Sequence, residues 1–293
     1  MTSRLRDTLI AAANPGGGWP YYAGKSSRIE PTCWALLALT GTTENAADWP
    51  RVAGPHLQWL ARTQRADGLL VDVAEAPANF ASNGLAVCVL THLGTGAPNV
   101  TRIVDALIAA KGISVKEPDP RQDNALQGWP WLPDTFSWLE PTSWCLLALK
   151  KAGTQRRGAA ARIEEGERLI ANRVCEPGGW NYGNASVVGQ DLRPYVPTTA
   201  VALLALQDRP HVPAVERSVV WLRDSRLKEP SASALAMAAI ALRVHGQPVD
   251  DVEVRLAGDA DRAERIGNLH AMAAMLYALT ASVHGVKSLR LEH

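Results

Sequence analysis

Residues 17–39 read GGWPYYAGKSSRIEPTCWALLAL, and residues 127–149 read QGWPWLPDTFSWLEPTSWCLLAL. The two stretches align without a gap at an offset of 110 residues, with 12 of 23 positions identical. A third copy, GGWNYGNASVVGQDLRPYVPTTAVALLAL, fills 178–206. Each copy is a Gly-Trp turn, a loop, a proline–threonine step and a Leu/Ala-rich helix. A repeated unit that cannot bury its own apolar face must bury it against its neighbours, so the repeat sets the architecture.

Working outward, apolar runs recur six times, at 31–42, 80–93, 141–152, 197–207, 231–245 and 268–282. Each is apolar on nearly every face, as in LLAL and ALAMAAIAL, and a helix apolar all round is buried on all sides. An amphipathic segment precedes each run: 3–13, 51–64, 99–111, 157–173, 211–224 and about 251–265, the last with few large apolar residues. Six outer–inner pairs predict an all-α fold, an (α/α)6 toroid of six inner and six outer helices, because a closed ring buries all six inner helices at once. The long connections 14–30, 65–79, 112–140 and 174–196 then gather at one end. The short returns at Gly41-Thr42, Gly94-Thr95-Gly96, Gly153-Thr154 and Gly246-Gln247 gather at the other, with glycine suited to a helix end. No linker interrupts the pattern, which gives one domain over 1–290. Leu291-Glu292-His293 reads as an expression-tag remnant.

The chain has 293 residues, 47% of them hydrophobic, with 30 Lys and Arg against 29 Asp and Glu. That balance gives no reason to expect a nucleic-acid partner, whose binders present a clustered basic face. No apolar run approaches ~20 residues, so no transmembrane segment is expected. Cys33, Cys88, Cys145 and Cys175 lack CxxC spacing, and three lie in apolar helical runs. Reduced thiols in a cytoplasmic protein are the simplest reading.

Gly-Gly-Trp followed by Pro-Thr-x-x-x-Leu-Leu-Ala-Leu resembles the repeat of squalene–hopene cyclases and of the beta subunits of protein prenyltransferases, the terpenoid cyclase and prenyltransferase α/α-toroid superfamily. Gln64-Arg65-Ala66-Asp67-Gly68-Leu69-Leu70 is similar to that family's Q-x-x-x-G-x-W turn, with Leu70 in the Trp place. The resemblance covers about residues 1–282 and looks closest to the small bacterial repeat proteins of the group. It implies a central apolar chamber that binds an isoprenoid or similar hydrophobic ligand, with no cofactor. The family's acid motif D-x-D-D is missing; Asp250-Asp251 and Asp259-Ala260-Asp261 are the nearest strings, and the Mg²⁺-binding D-D-x-x-D/E is missed too. Complete cyclases of the family usually hold two such helical domains, where this chain has one. The prenyltransferase zinc site, carried over, gives the weak trio Glu30, Cys33 and His270 as its only metal candidate, against a buried thiol and a satisfied histidine.

Glu30, Glu140 and Glu229 each precede a proline, in what reads as an N-cap position, and Val196-Pro197 is a fourth such step. Helix capping accounts for them, since a carboxylate there is favoured by ~0.3–1 kcal/mol. They are equally the candidate catalytic acids of an atypical terpenoid cyclase or prenyltransferase. Two carboxylates across a mouth would also serve a carbohydrate-active toroid. Capping carboxylates disfavour a diphosphate, an effect that Lys25, Arg28, Lys116, Arg121 and Arg193 in the same loops partly offset. Trp19, Trp129 and Trp180 belong to the turns, and Trp59 and Trp221 to outer helices facing inward. Trp34 and Trp144, one turn into inner helices, with Tyr21, Tyr22, Trp131, Trp138, Tyr182 and Tyr195 in the loops, are the candidate ligand-binding aromatics. The proline-rich connection 112–140 is a candidate lid. A pure protein-interaction ring is the remaining reading, and its sign would be a filled bore.

Overall fold

The computed structural model describes residues 1–40, 42, 49–94, 98–115, 121–284 and 286–291. Gly41, Thr95, Gly96, Lys116 and the Glu117-Pro118-Asp119-Pro120 step lie outside the described residues. Among the described residues twelve α-helices alternate between two layers. The outer layer is α1 (Thr2–Ala11), α3 (Trp49–Arg62), α5 (Val100–Ala109), α7 (Ala159–Asn172), α9 (Pro213–Ser225) and α11 (Asp250–Ile266). The inner layer is α2 (Ile29–Thr40), α4 (Phe80–Leu93), α6 (Leu139–Ala152), α8 (Val196–Ala205), α10 (Ala232–Val244) and α12 (Leu269–His284). Each inner helix packs on the next, and α12 packs on α2, which closes the ring. Among the described residues the only strands are β1 (Ser186–Val187) and β2 (Gln190–Asp191), a short antiparallel hairpin in the loop before α8.

The inner helices are buried on nearly every face, as their composition requires. The sixth outer helix needs few large residues. Val252, Leu256, Ala260 and Ala263 recur at helical spacing and bury one stripe. Asp250, Asp251 and Glu253 stand in its first turn, where the helix dipole favours them. Arg4 of α1 pairs with Asp261 and Glu264 of α11, joining first and last outer helices.

The Gly-Trp turn is a hydrogen-bonded joint made the same way in each copy. The backbone N–H groups of Trp19, Trp129 and Trp180 donate to the hydroxyls of Thr32, Thr142 and Thr199, at 2.9, 3.0 and 2.9 Å. Their indole N–H groups donate to the carbonyls of Leu9, Leu107 and Ile170 on the preceding outer helices, at 2.7, 2.8 and 2.8 Å. In the second unit Leu70 stands for Trp, and Asn83 stands for Thr, accepting from Leu70 N–H at 2.8 Å and donating back to its carbonyl at 2.9 Å. Gly18 takes φ +78°, and a Cβ there would lie 2.7 Å from that of Ser27. That crowding is why the turn needs glycine.

Two residues after each turn position, the chain reaches over to cap the inner helix one step back in the ring. Ile29 N–H of α2 donates to Asp72 Oδ1 at 2.7 Å, Phe80 N–H of α4 to Trp131 O at 3.1 Å, and Leu139 N–H of α6 to Tyr182 O at 2.9 Å. Leu269 N–H of α12 donates to Tyr21 O at 2.8 Å, which carries the same joint across the ring closure. These first-turn amides have no partner within their own helices, so the caps satisfy groups that burial would otherwise strand.

The caps correct the sequence reading of the glutamates. Glu30 and Glu140 are not N-caps; each is the second helical residue, and Asp72 caps α2. Glu229 lies upstream of α10, whose N-cap is Ser231, and it accepts from Ser231 N–H at 2.9 Å. Pro197 is the second residue of α8, so it stands in the ring position of Glu30 and Glu140 rather than of Pro31. At the opposite end, residues 286–291 pack across the ring. Leu291 is buried, and its N–H donates to Gln207 Oε1 at 2.9 Å. Glu292 and His293 lie outside the described residues.

Candidate functional site: a carboxylate mouth and a rim groove

Second and sixth residues of a helix lie on one face, a turn apart. In α2 these are Glu30 and Trp34, in α6 Glu140 and Trp144, and in α8 Pro197 and Val201. α10 adds Ser233 and Met237, and α12 adds His270. All of these line one cavity of about 400 Å³ at the N-terminal end of the inner ring, joined by Glu229 and by Tyr182 and Tyr195 from the loop before α8. The ring geometry thus gathers residues far apart in sequence into a mouth.

The bore below the mouth is occupied by side chains. Trp34 and Trp144 meet edge-on with centroids 6.3 Å apart, and Tyr277 packs on Trp34 at 6.1 Å. All three are buried. α4 and α6 approach so closely that a Cβ on Gly84 would lie 2.6 Å from the carbonyl carbon of Trp144. The expected central apolar chamber is therefore a shallow cup with an aromatic floor.

Glu30 is well provided with donors. The Tyr21 hydroxyl donates to Oε2, and His270 Nε2 lies 3.4 Å from Oε1. Burial, and then the charge of Glu30, push the Tyr21 phenol well above its ordinary range. Glu140 has no such support. Burial, and secondly the nearby Glu30, push its carboxyl up to about 7. Two carboxylates in one low-dielectric cavity cannot both ionise freely, and the less well supported one holds its proton longer.

Cys33 does not join Glu30 and His270. Its thiol is fully buried, and desolvation, then Glu30, push its pKa well above the ordinary value. Among the described residues no three His, Cys, Asp or Glu side chains gather as metal ligands, so the weak zinc trio is not assembled. All four cysteines are free and buried.

Beside the mouth runs a larger groove of about 790 Å³ between the connection preceding α6 and the one preceding α8. Tyr182 and Tyr195 line both cavities, so the two adjoin. Their rings lie 5.4 Å apart. The groove exposes Ile113, Phe136, Trp138, Val187 and Leu192, an unusual concentration of large apolar side chains in contact with water. Gln122, Asn124 and Asn181 supply polar groups along it, and Arg121 pairs with Asp191 at 2.8 Å on its rim.

Of the aromatics singled out from sequence, Trp34, Trp144, Tyr182 and Tyr195 line the mouth, and Trp138 lines the groove. Tyr21 does not line the mouth itself but touches Glu30 and His270, which do. Tyr22 and Trp131 line neither cavity; Trp131 packs against the core while its carbonyl caps α4. Described residues of the connection before α6 line the groove, and Tyr182 and Tyr195 of the connection before α8 line the mouth. Sequence reasoning missed the aliphatic groove residues and Asp72. The hairpin string Val187–Leu192, apolar residues in a loop that no core needs, was their one legible signal.

The chain matches no known protein-family model, and no curated protein resembles it closely enough in sequence to count as a match. Solved structures do share its fold. A protein from Actinoplanes superposes with a TM-score of 0.60 at 17% identity, covering 96% of this chain and 98% of that one. A novel alpha-amylase from Clostridium perfringens gives 0.63 at 11% identity, covering 94% and 98%. A variant of the type II terpene cyclase MstE from Scytonema, in complex with geranylgeranyl dihydroxybenzoate, gives 0.61 at 14% identity, covering 98% and 97%. The fold is a terpenoid cyclase-like α/α toroid. That cyclase chain is matched along nearly its whole length by this single ring, so a second helical domain is not a requirement of the fold.

Proposed function

We propose that this protein binds an elongated hydrophobic ligand of isoprenoid type, with the chain along the rim groove and one end in the carboxylate mouth. The observation that carries this reading is the convergence of exposed aliphatic and aromatic side chains on a groove of about 790 Å³ that shares Tyr182 and Tyr195 with the mouth. Soluble proteins rarely leave such a patch open without a partner. The aliphatic wall of Ile113, Val187 and Leu192 suits a hydrocarbon better than a sugar. The geranylgeranyl compound bound by the structurally similar cyclase is of the same ligand class. No helix of the described chain is long and apolar enough to cross a membrane, and four free, buried thiols suit a cytoplasmic location.

Binding rather than alkene cyclisation is the better-supported role. A carboxylic acid pushed up to about 7 is too weak an acid for an unactivated alkene, whereas it suits protonation of an oxygen. That same property favours the carbohydrate-active reading as runner-up: a Glu140 that holds its proton up to about 7, with a second carboxylate in the same cavity, is the kind of pair a glycosidase needs, and an alpha-amylase shares the fold. Native mass spectrometry with geranylgeraniol and with maltohexaose distinguishes the two. We expect one equivalent of the isoprenoid to be retained by the wild type and lost in Leu192→Glu. Retention and cleavage of the oligosaccharide, with no isoprenoid uptake, would replace this reading by the second. Cyclisation of squalene by the wild type but not by Glu140→Gln would restore the cyclase reading.

A further inference from the structure

The mouth carries a charge pattern that the groove lacks. Glu30, Glu140 and Glu229 line it, aromatic rings wall it, and among the described residues no Lys or Arg does. Glu30 is served by Tyr21 and His270, and Glu229 by Ser231 N–H. Glu140 is different: among the described residues no hydrogen bond or ion pair reaches its carboxylate. A half-buried carboxylate turned into an aromatic-walled cavity without a protein partner is costly, and a guest that supplies one relieves the cost. Trp34, Trp144, Tyr182 and Tyr195 add the negative faces of their π-systems, which favour the same sign of guest.

An anionic head group would be repelled here, and a neutral hydroxyl would leave the charge uncompensated. A bare metal ion would lack its ligand set. The guest that matches both the carboxylates and the rings is a cation with apolar surface. We infer that the mouth binds the ammonium end of the ligand, a protonated or quaternary amine held between Glu140 and Glu30 over the floor made by Trp34 and Trp144. This rests on the groove reading, which supplies the hydrocarbon part of the same molecule.

A bound cation stabilises the ionised form of Glu140, so binding near neutral pH releases a proton and strengthens as pH rises. The groups facing Glu140 are Glu30 from α2, His270 from α12, Tyr182 and Tyr195 from the loop before α8, and Glu229 before α10; α8 presents only Pro197 and Val201. Among these, only His270 can carry a positive charge. Its variant must therefore be measured too.

The test is calorimetric titration of geranylgeraniol and of its trimethylammonium analogue, at pH 6 and pH 8. It uses the wild type, Glu140→Gln and His270→Gln. A quaternary amine does not titrate, so any pH dependence belongs to the protein. We expect the ammonium ligand to be preferred over the alcohol in the wild type, by about tenfold more at pH 8 than at pH 6, as one group titrating near 7 dictates. The pH-dependent preference should vanish in Glu140→Gln and persist in His270→Gln. Unchanged helical circular dichroism of both variants reports intact folding. Equal affinity for the two ligands at both pH values would overturn the ammonium site and leave the groove standing. Binding of neither would overturn the groove reading and this inference with it. Loss of the pH dependence in His270→Gln alone would overturn the assignment to Glu140.

Discussion

At pH 6 the Glu140 carboxyl keeps a proton that it has released in the unfolded chain, because its folded pKa is raised to about 7. The sign follows from linkage: the folded state binds more protons between the ordinary carboxylate range and 7, so the contribution of Glu140 to stability falls as pH rises through that window. The full penalty, roughly 3 kcal/mol, applies above pH 7. Glu140→Gln is therefore expected to raise the melting temperature at pH 8 and leave it nearly unchanged at pH 5, read as a difference from wild type in parallel thermal melts. His56 titrates the other way. It is buried, accepts from Gly18 N–H through Nδ1 at 2.9 Å, and its pKa is lowered to about 4 by desolvation. Its contribution is present above its ordinary pKa and is lost as pH falls toward 4, so unfolding in denaturant should become easier between pH 6 and pH 4 in the wild type, and by less in His56→Gln. Glu30 and Glu140 were legible as functional candidates because the repeat marks them. Their inequality was not, since it depends on Tyr21 and His270, one from a loop and one from the far end of the chain.

The elements are joined by the turns more than by their own propensities. Thr142→Val removes the acceptor for the buried Trp129 N–H, and an unsatisfied buried amide costs about 1–3 kcal/mol, which chemical denaturation can read. The same experiment on Gly84→Ala should show a loss of about 1–3 kcal/mol, because the new methyl has only the backbone of α6 to displace. Gly258→Ala, in an open position on α11, should gain up to about 1 kcal/mol. All twelve helices could be read from apolar periodicity, the sixth outer one included, because small residues at the right spacing bury a stripe as well as large ones do. Helix starts were less legible. In α2 and α6 proline marked them two residues late, since the first amide is capped by the neighbouring unit through Asp72 or a backbone carbonyl, and a carbonyl leaves no trace in sequence.

For the whole molecule, ring closure follows from counting pairs, and the packing of α12 on α2 is the outcome. The state of the bore was not legible. Ala-rich helices can leave a channel or pack it shut, and what decides is the placement of Trp34, Trp144 and Tyr277 together with the close approach of α4 and α6. The proposed ligand site accordingly lies at the rim rather than on the axis, where loops rather than helices make the walls. The most direct test is a crystal structure of the protein grown with geranylgeraniol. We predict density for the hydrocarbon between Phe136 and Leu192, ending beside Tyr182 and Tyr195 at the mouth. Density within the bore between Trp34 and Trp144, or an empty groove at saturating ligand, would contradict it.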